Sequence, residues 1–164
     1  MPYKPYKLLF VCLGNICRSP AAENIMNHLI EQNGLQGKVL CDSAGMGSWH
    51  VGHPPDRRMT AAALKKLNLQ FKGTARQFQP SDFEAFDLIL AMDKENYYDI
   101  LRLDQQRQYG HKVKLMCDYC RTFSDREVPD PYYGGPEGFN YVLDLLLDAC
   151  SGLLEELQTQ QWPI

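Results

Sequence analysis

The residues best placed to do chemistry are Cys12 and Arg18, which bracket a short loop in the stretch VCLGNICRSP, residues 11–20. An apolar run ends on Cys12, and a helical pattern begins at Arg18. A tight loop of this kind can turn its backbone N–H groups inward as an anion cradle, and the helix N-terminus adds unpaired donors. The Arg18 guanidinium can bind two oxygens of a tetrahedral anion. Because the same positive field favours the thiolate form of Cys12, the pattern indicates nucleophilic attack on phosphorus.

The spacing of cysteine and arginine is weak evidence by itself, because Cys120 and Arg126 repeat it. The surroundings of the two pairs differ. The second stretch has bulky residues inside it, Pro129 follows it closely, and no helical pattern begins at its end. The first stretch follows an apolar run, opens a helix and contains Gly14 and Asn15, which tolerate unusual backbone angles. We therefore assign the chemistry to the first loop.

Strand-like and helical patterns alternate along the chain. Continuous apolar runs, typical of strands buried on both faces, cover Lys7–Cys12, Lys38–Ser43, Phe86–Met92 and Val113–Cys117. Helical spacing of apolar residues covers Arg18–Gln32, Pro55–Leu67, Glu95–Leu103 and Gly138–Leu157. The alternation predicts a single doubly wound α/β domain over residues 1–164, with a central four-stranded parallel sheet and helices on both faces. Ligands of such sheets bind beyond the carboxyl ends of the strands, where Cys12 lies.

Composition and charge exclude several classes of protein. The 164 residues are 45% hydrophobic and 23% charged, which suits one globular domain. A net charge of −3, without a cluster of Lys and Arg, argues against nucleic acid as a partner. Neither a signal-peptide pattern nor a run long enough for membrane insertion is present, so we expect a cytoplasmic protein, with a monomer as the default. The six cysteines are then expected to be free thiols, and Cys117 and Cys120 lack the second ligand pair of a zinc site, so no metal is expected.

The stretch VCLGNICRSP resembles the phosphate-binding loop of the low-molecular-weight protein tyrosine phosphatases. The similarity continues in SAGMGSWHVGHPPDRRM, TARQF, DLILAMD and DPYYGG, which lie in this order between residue 8 and about residue 150. The resemblance implies that phosphotyrosine-containing proteins are the substrates, that Cys12 is the nucleophile and that no cofactor is needed. It assigns the phosphate-binding loop to Leu13, Gly14, Asn15, Ile16, Cys17 and Arg18.

The resemblance also assigns Asp130, in the motif DPYYGG, as the acid that protonates the leaving phenolate and later activates water. Without the resemblance, an Asp-Pro pair is most often a turn, and Asp125 and Glu127 are rival acids. Ser19 is expected to donate a hydrogen bond to the thiolate of the nucleophile, and Ser43 to support the loop. The aromatic walls of the substrate cleft are assigned to Trp49, Tyr132 and Tyr133.

Two features of the loop and its surroundings leave questions open. Family members commonly carry a histidine that helps to brace the phosphate loop, and Gly73 stands at its position here, so the brace in this chain is unassigned. Cys17 shares the loop with Cys12, which suggests that the two thiols form a reversible disulfide under peroxide. The disulfide is a hypothesis that peptide mass measurements can test.

Two other functions stay open at this point. Thioredoxin-coupled arsenate reductases share the fold and the loop, but they need two further cysteines in the middle of the chain, and residues 42–116 contain none. A phosphotyrosine-binding module or a redox sensor would keep the anion cradle without catalysis. Because Cys12, Arg18 and Asp130 are all present, the sequence favours a catalytically active phosphatase.

Overall fold

In the computed structural model, which describes residues 4–160, four parallel strands form one sheet. The strands are β1 Tyr6–Cys12, β2 Val39–Gly45, β3 Leu88–Ala91 and β4 Val113–Leu115. Their order across the sheet is β2-β1-β3-β4. The predicted central four-stranded parallel sheet is therefore confirmed.

Helices cover both faces of this sheet, as predicted. They are α1 Arg18–Gln32, α2 Arg57–Leu67, α3 Asp82–Ala85, α4 Lys94–Leu103 and α5 Pro136–Thr159, with short 3-10 helices at Gly110–Lys112 and Met116–Tyr119. Side chains of β1 point alternately to the two faces. Leu8 and Phe10 pack in one apolar cluster with α1, α2 and α5, whereas Leu9 and Val11 pack in another with α3 and α4.

The strand bounds differ from the predicted ones by a few residues. Strand β2 continues two residues further, to Gly45, because it stays paired with β1 until Cys12 lies opposite Gly45. Strand β3 is shorter than predicted at both ends, since α3 and the turn into α4 occupy its flanks. Strand β4 ends at Leu115 rather than Cys117, because the chain turns into a 3-10 helix that buries Met116 in the core.

The helix bounds differ for local reasons. Helix α2 begins at Arg57 rather than Pro55, because the Asp56 side chain caps it and accepts the backbone N–H of Arg58 at 2.8 Å. Helix α5 begins two residues earlier than predicted, at Pro136, since proline suits the first turn of a helix. Helix α3 was not predicted, because four residues are too few to show a helical period.

The order of the strands places a crevice beyond β1 and β3. The chain crosses from β2, on one side of β1, to β3 on the other side, and ligands bind where the winding changes direction in this way. Cys12 is the last residue of β1, and Asp93 lies two residues after the end of β3. The fold therefore brings the Cys12 loop and the β3–α4 turn together at one edge of the sheet.

Candidate active site

The loop after β1 is held so that its N–H groups are available. The carbonyl oxygens of Cys12 and Leu13 accept backbone hydrogen bonds of 3.0 and 2.8 Å from the loop after β2. Asn15 adopts a left-handed φ of 57°, the unusual backbone angle expected there. Among the described residues, no protein group accepts the backbone N–H of Gly14 or Cys17. Such a curved run of free N–H groups can bind an anion.

The Cys12 sulfur is buried and receives directed hydrogen bonds. The Ser19 Oγ lies 3.0 Å from Sγ, and the backbone N–H of Asn15 donates to Sγ at 3.3 Å. The side-chain amide of Asn15 donates to Ser19 Oγ at 2.7 Å. The one hydroxyl hydrogen of Ser19 can point at the sulfur, 3.0 Å away, or at the Ala44 carbonyl at 3.4 Å, and the shorter contact favours the sulfur. Ser19 does not cap α1, whose N-cap residue is Cys17 without a side-chain cap bond.

Asn15 is braced from three directions, which answers the question raised by Gly73. Its amide nitrogen also donates to Ser43 Oγ at 2.9 Å, and its amide oxygen accepts the backbone N–H of Arg76 at 2.9 Å. The Ser43 hydroxyl in turn donates to Glu23 at 2.6 Å. Burial raises the pKa of Glu23, and the hydrogen bond from Ser43 opposes that rise. The loop is thus braced by an amide and hydroxyl network rather than by an imidazole.

Arg18 lies on the floor of the crevice and is almost fully buried. Its Nη1 donates to Asp93 at 2.6 Å and to the Val128 carbonyl at 3.0 Å, while Nη2 has a longer contact of 3.4 Å with Asp130. Burial alone would lower the pKa of Arg18, but the negative charges of the Cys12 sulfur and of both aspartates raise it. Nη1 is therefore anchored by two short hydrogen bonds, and Nη2 has only the longer contact with Asp130 in the cleft.

Asp130 is the carboxylic acid that the structure brings to Cys12. It is exposed at the mouth of the crevice and accepts the backbone N–H of Tyr132 at 3.1 Å, which holds its loop in a tight turn. The rival acids are engaged elsewhere. Glu127 accepts the first N–H of α4, and Asp125 accepts a tyrosine hydroxyl of α5. Neither rival lines the cleft that contains Cys12.

Aromatic side chains form the rim of this cleft, whose volume is about 370 Å³. Trp49 is 68% exposed and Tyr133 is 93% exposed, whereas Tyr132 is half-buried. The rings of Tyr132 and Tyr133 meet edge to face at 4.9 Å between centres. His50 also lines the cleft, and its ring centre lies 6.1 Å from that of Tyr132. All three predicted rim aromatics thus surround the predicted nucleophile.

A family model described as low molecular weight phosphotyrosine protein phosphatase matches residues 7–162. The chain belongs to the low-molecular-weight protein tyrosine phosphatase family. It is 65% identical over 151 residues to a Synechocystis protein provisionally named as such a phosphatase, covering 92% of this chain and 96% of that protein. The low-molecular-weight protein-tyrosine-phosphatase YfkJ of Bacillus subtilis is 41% identical over 94% of this chain and 97% of its own length.

A solved structure supports the same assignment. The crystal structure of a protein tyrosine phosphatase from Entamoeba histolytica, with Hepes in its active site, matches with a TM-score of 0.88 at 48% identity. The match covers 93% of this chain and 97% of that one. The predicted family, fold class and enzyme class, a phosphoric monoester hydrolase, are therefore confirmed.

Two residues that contact the site of this phosphatase were missed from the sequence. Asp93 anchors Arg18, but it reads as an ordinary helix cap, and it also accepts the backbone N–H of Asn96 at 2.8 Å. Its place at the end of the motif DLILAMD, just after a strand, was the available signal. Arg58 contacts the rim, because its guanidinium carbon lies 5.2 Å from the centre of the Tyr132 ring.

A second thiol of this phosphatase, that of Cys17, lies in the same loop as Cys12. Cys17 is buried beside Cys12, and burial, followed by the charge of Asp56, raises its pKa. No cluster of three or more His, Cys, Asp or Glu within residues 4–160 could hold a metal ion. None of the helices in that range is both long and apolar enough to span a membrane.

Proposed function

We propose that this phosphatase hydrolyses phosphotyrosine in proteins through a cysteinyl-phosphate intermediate, with Cys12 as nucleophile, Arg18 as phosphate clamp and Asp130 as general acid and base. The observation that carries the proposal is that these side chains, which follow β1, open α1 and precede α5, line one cleft. The cleft also supplies backbone donors for a tetrahedral anion and aromatic surfaces for a phenyl ring.

In the first step the Cys12 thiolate attacks phosphorus in line with the leaving group. A sulfur–phosphorus bond forms while the bond between phosphorus and the phenolic oxygen breaks, and Asp130 transfers its proton to that oxygen. The loop N–H groups and Arg18, whose Nη2 has only a long contact with Asp130, bind the equatorial oxygens and stabilise their charge in the transition state. Anchoring by Asp93 keeps the guanidinium aimed at those oxygens, so little reorganisation is required.

In the second step a water molecule attacks the phosphorus of the cysteinyl-phosphate. Asp130, now ionised, accepts a proton from the water as the oxygen–phosphorus bond forms and the sulfur–phosphorus bond breaks. Cys12 leaves as a thiolate, and inorganic phosphate departs. The hydroxyl of Ser19, 3.0 Å from Sγ, stabilises the negative charge that returns to the sulfur. Before the first step the same hydrogen bond favours the thiolate form of Cys12, so Ser19 has a different role in each step.

The rim of the cleft favours a phenolic substrate over an aliphatic one. The aromatic surfaces of Trp49, Tyr132 and Tyr133 can stack on a flat ring, and such contacts are worth about 0.5–1.5 kcal/mol per pair. Phosphoserine has no ring to fill this space, and its short side chain would require the rim to contact its backbone directly. We therefore infer a preference for phosphotyrosine-containing proteins.

The two alternatives have little support from the site. An arsenate reductase would need two further thiols at the nucleophile, but Cys17 is the one other thiol of residues 4–160 that lines the cleft, and Cys117 and Cys120 pack beneath α5. A binding module without catalysis would need no acid, yet Asp130 lies within 3.4 Å of the phosphate clamp, Arg18. A phosphatase accounts for an acid next to Arg18 and needs no further thiol in the cleft.

The first experiment compares a phosphotyrosine peptide with its phosphoserine counterpart, using reduced protein in the presence of EDTA. Cys12→Ser is measured in parallel. We expect turnover of the phosphotyrosine peptide only, abolished in the variant, which should still bind phosphate because the loop remains. Substantial turnover by Cys12→Ser would remove Cys12 as the nucleophile. Phosphate binding without any turnover by the unaltered protein would favour the binding module or, if thioredoxin-dependent arsenate reduction followed, the reductase.

A further inference from the structure

A second cleft of about 340 Å³ lies between α2 and the start of α5, and we call it the α2–α5 groove. One wall is a single face of α2, formed by Arg58, Ala61 and Lys65 at helical spacing. On the other side Pro136 of α5 contributes exposed apolar surface, and the buried ring of Phe139 lies beneath it at the floor of the groove. None of these residues is required by the catalytic steps.

The groove continues the active-site cleft. The Arg58 guanidinium carbon lies 5.2 Å from the centre of the Tyr132 ring, which lines the catalytic cleft, and 4.8 Å from that of Phe139, which lines the groove. The two rings therefore lie within about 10 Å of one another, on either side of one guanidinium. The Asp56 carboxylate accepts hydrogen bonds from Nε and Nη2 of Arg58, at 3.2 and 3.1 Å, so the guanidinium between the cleft and the groove has a defined position.

The charges of the groove are unbalanced at its far end. Arg58 is paired with Asp56, and Lys66, which does not line the groove, is paired with Asp144 at 3.0 Å. Lys65 is exposed, and within residues 4–160 no carboxylate forms an ion pair with it. The groove thus offers apolar surface next to the catalytic cleft and an uncompensated cation about two helical turns beyond it.

We propose that the α2–α5 groove binds the part of the protein substrate that flanks phosphotyrosine, and that it selects an apolar residue followed by an acidic one. This inference rests on the proposed phosphotyrosine hydrolysis. An extended chain covers about 3.3 Å per residue, so a residue two or three positions from phosphotyrosine reaches the part of the groove above Phe139, where Ala61 and Pro136 are exposed. Lys65 lies seven residues after Arg58, roughly 10 Å along α2, so the acidic residue lies four to six positions from phosphotyrosine.

The role of the Lys65 charge is tested with phosphotyrosine peptides that carry either two aspartates or two lysines. These residues stand at positions four and five counted from phosphotyrosine, before it in one set of peptides and after it in the other. Each kcat/KM is divided by that of the same variant with p-nitrophenyl phosphate, which is too small to reach the groove. We expect a preference of about fivefold for the acidic peptide on one side, which falls as added salt screens the exposed pair. Lys65→Glu should abolish or reverse it, whereas Arg57→Glu, on the same helix but lining neither cleft, should not.

The apolar surface is tested with peptides that carry leucine or serine at positions two and three. Ala61→Trp fills the groove and should reduce the preference for leucine by about fivefold. Leu64→Trp is the matched control, because Leu64 is exposed on α2 but does not line the groove. Stability of each variant is checked by thermal unfolding.

The outcomes separate this inference from the proposed function. If phosphotyrosine peptides were hydrolysed at equal rates whatever their flanking residues, the inference about the groove would be overturned and the proposed function would stand. Equal effects of Lys65→Glu and Arg57→Glu would also overturn it, because the preference would then reflect the general field of α2. If the unaltered protein hydrolysed none of the phosphotyrosine peptides, both the proposed function and the inference about the groove would be overturned.

Discussion

Replacing Asp130 by asparagine tests the assignment of the general acid most directly. The substitution keeps the shape of the side chain and its oxygen, so the hydrogen bond from the backbone of Tyr132, now 3.1 Å, can persist and the loop can keep its turn. It removes the transferable proton and the 3.4 Å ion pair with Arg18. Because Asp130 is 37% exposed in that pair, the loss of the pair should change the free energy of unfolding by less than about 0.5 kcal/mol.

The magnitude follows from the leaving group. General acid catalysis contributes about 10²- to 10⁴-fold, and an acid at an exposed cleft mouth can be replaced partly by water, so we take the lower half of this range. With phenyl phosphate, whose phenol has a pKa near 10 like that of tyrosine, kcat/KM should fall by about 10²- to 10³-fold, or roughly 3 to 4 kcal/mol. With p-nitrophenyl phosphate, whose phenol is far more acidic, we expect a loss of about tenfold or less.

The assay must use kcat/KM rather than kcat. In the proposed mechanism Asp130 also acts in the hydrolysis of the cysteinyl-phosphate, and that step can limit kcat for every substrate and hide the leaving-group dependence. The ratio kcat/KM reports only the steps up to the first irreversible one, which releases the phenol. Glu127→Gln and Asp125→Asn are matched controls, because they make the same chemical change in acids that do not line the cleft.

Equal losses for phenyl phosphate and p-nitrophenyl phosphate would refute the reasoning, because an acid must matter more when the leaving group is poor. A loss in Glu127→Gln that matched the one in Asp130→Asn would refute the assignment and identify another acid. Each of these results would leave the nucleophile, Cys12, in place.

Three further predictions concern the loop and the scaffold. Asn15→Ala should lower the free energy of unfolding by about 2–3 kcal/mol, because it removes hydrogen bonds from buried partners and disfavours the φ of 57°. Asn15→Gly accepts that φ, so it should lower the free energy of unfolding less when both variants are measured by urea denaturation. A larger loss for the glycine variant would contradict the backbone argument. Burial would raise the pKa of Asp148, but hydrogen bonds from the backbone N–H groups of residues 121–123 outweigh it and lower that pKa. Asp148→Asn should therefore lower the free energy of unfolding by about 1 kcal/mol at neutral pH. This difference should fade as the pH drops below about 4, because stabilisation by a carboxylate of lowered pKa is lost as the carboxylate is protonated. A difference independent of pH would show that the charge of Asp148 does not stabilise the fold. Peroxide should convert Cys12 and Cys17 into an intramolecular disulfide detectable by peptide mass, and treated protein without that crosslink would exclude the redox hypothesis.

The sequence determined the elements of this protein and the most compact part of its site. The four strands and the longer helices are visible in apolar runs and helical spacing, because burial of one or both faces imposes those periods locally. The loop from Cys12 to Arg18 is likewise local, since a strand end, a left-handed Asn15 and a helix start are adjacent in the chain. The end of β4 at Leu115 was not visible in the sequence, because the 3-10 helix that follows begins with apolar residues, as a continued strand would.

Only the tertiary structure decided which distant residues support that loop. Asp93 is 75 positions from Arg18 and has the sequence signature of a helix cap, and its place just after a strand does not by itself reveal its hydrogen bond with the guanidinium. The main-chain N–H of Arg76 is 61 positions from Asn15, and a backbone group carries no signature of its own. These contacts depend on the order β2-β1-β3-β4, which brings the loop ends together and which no single stretch of residues encodes.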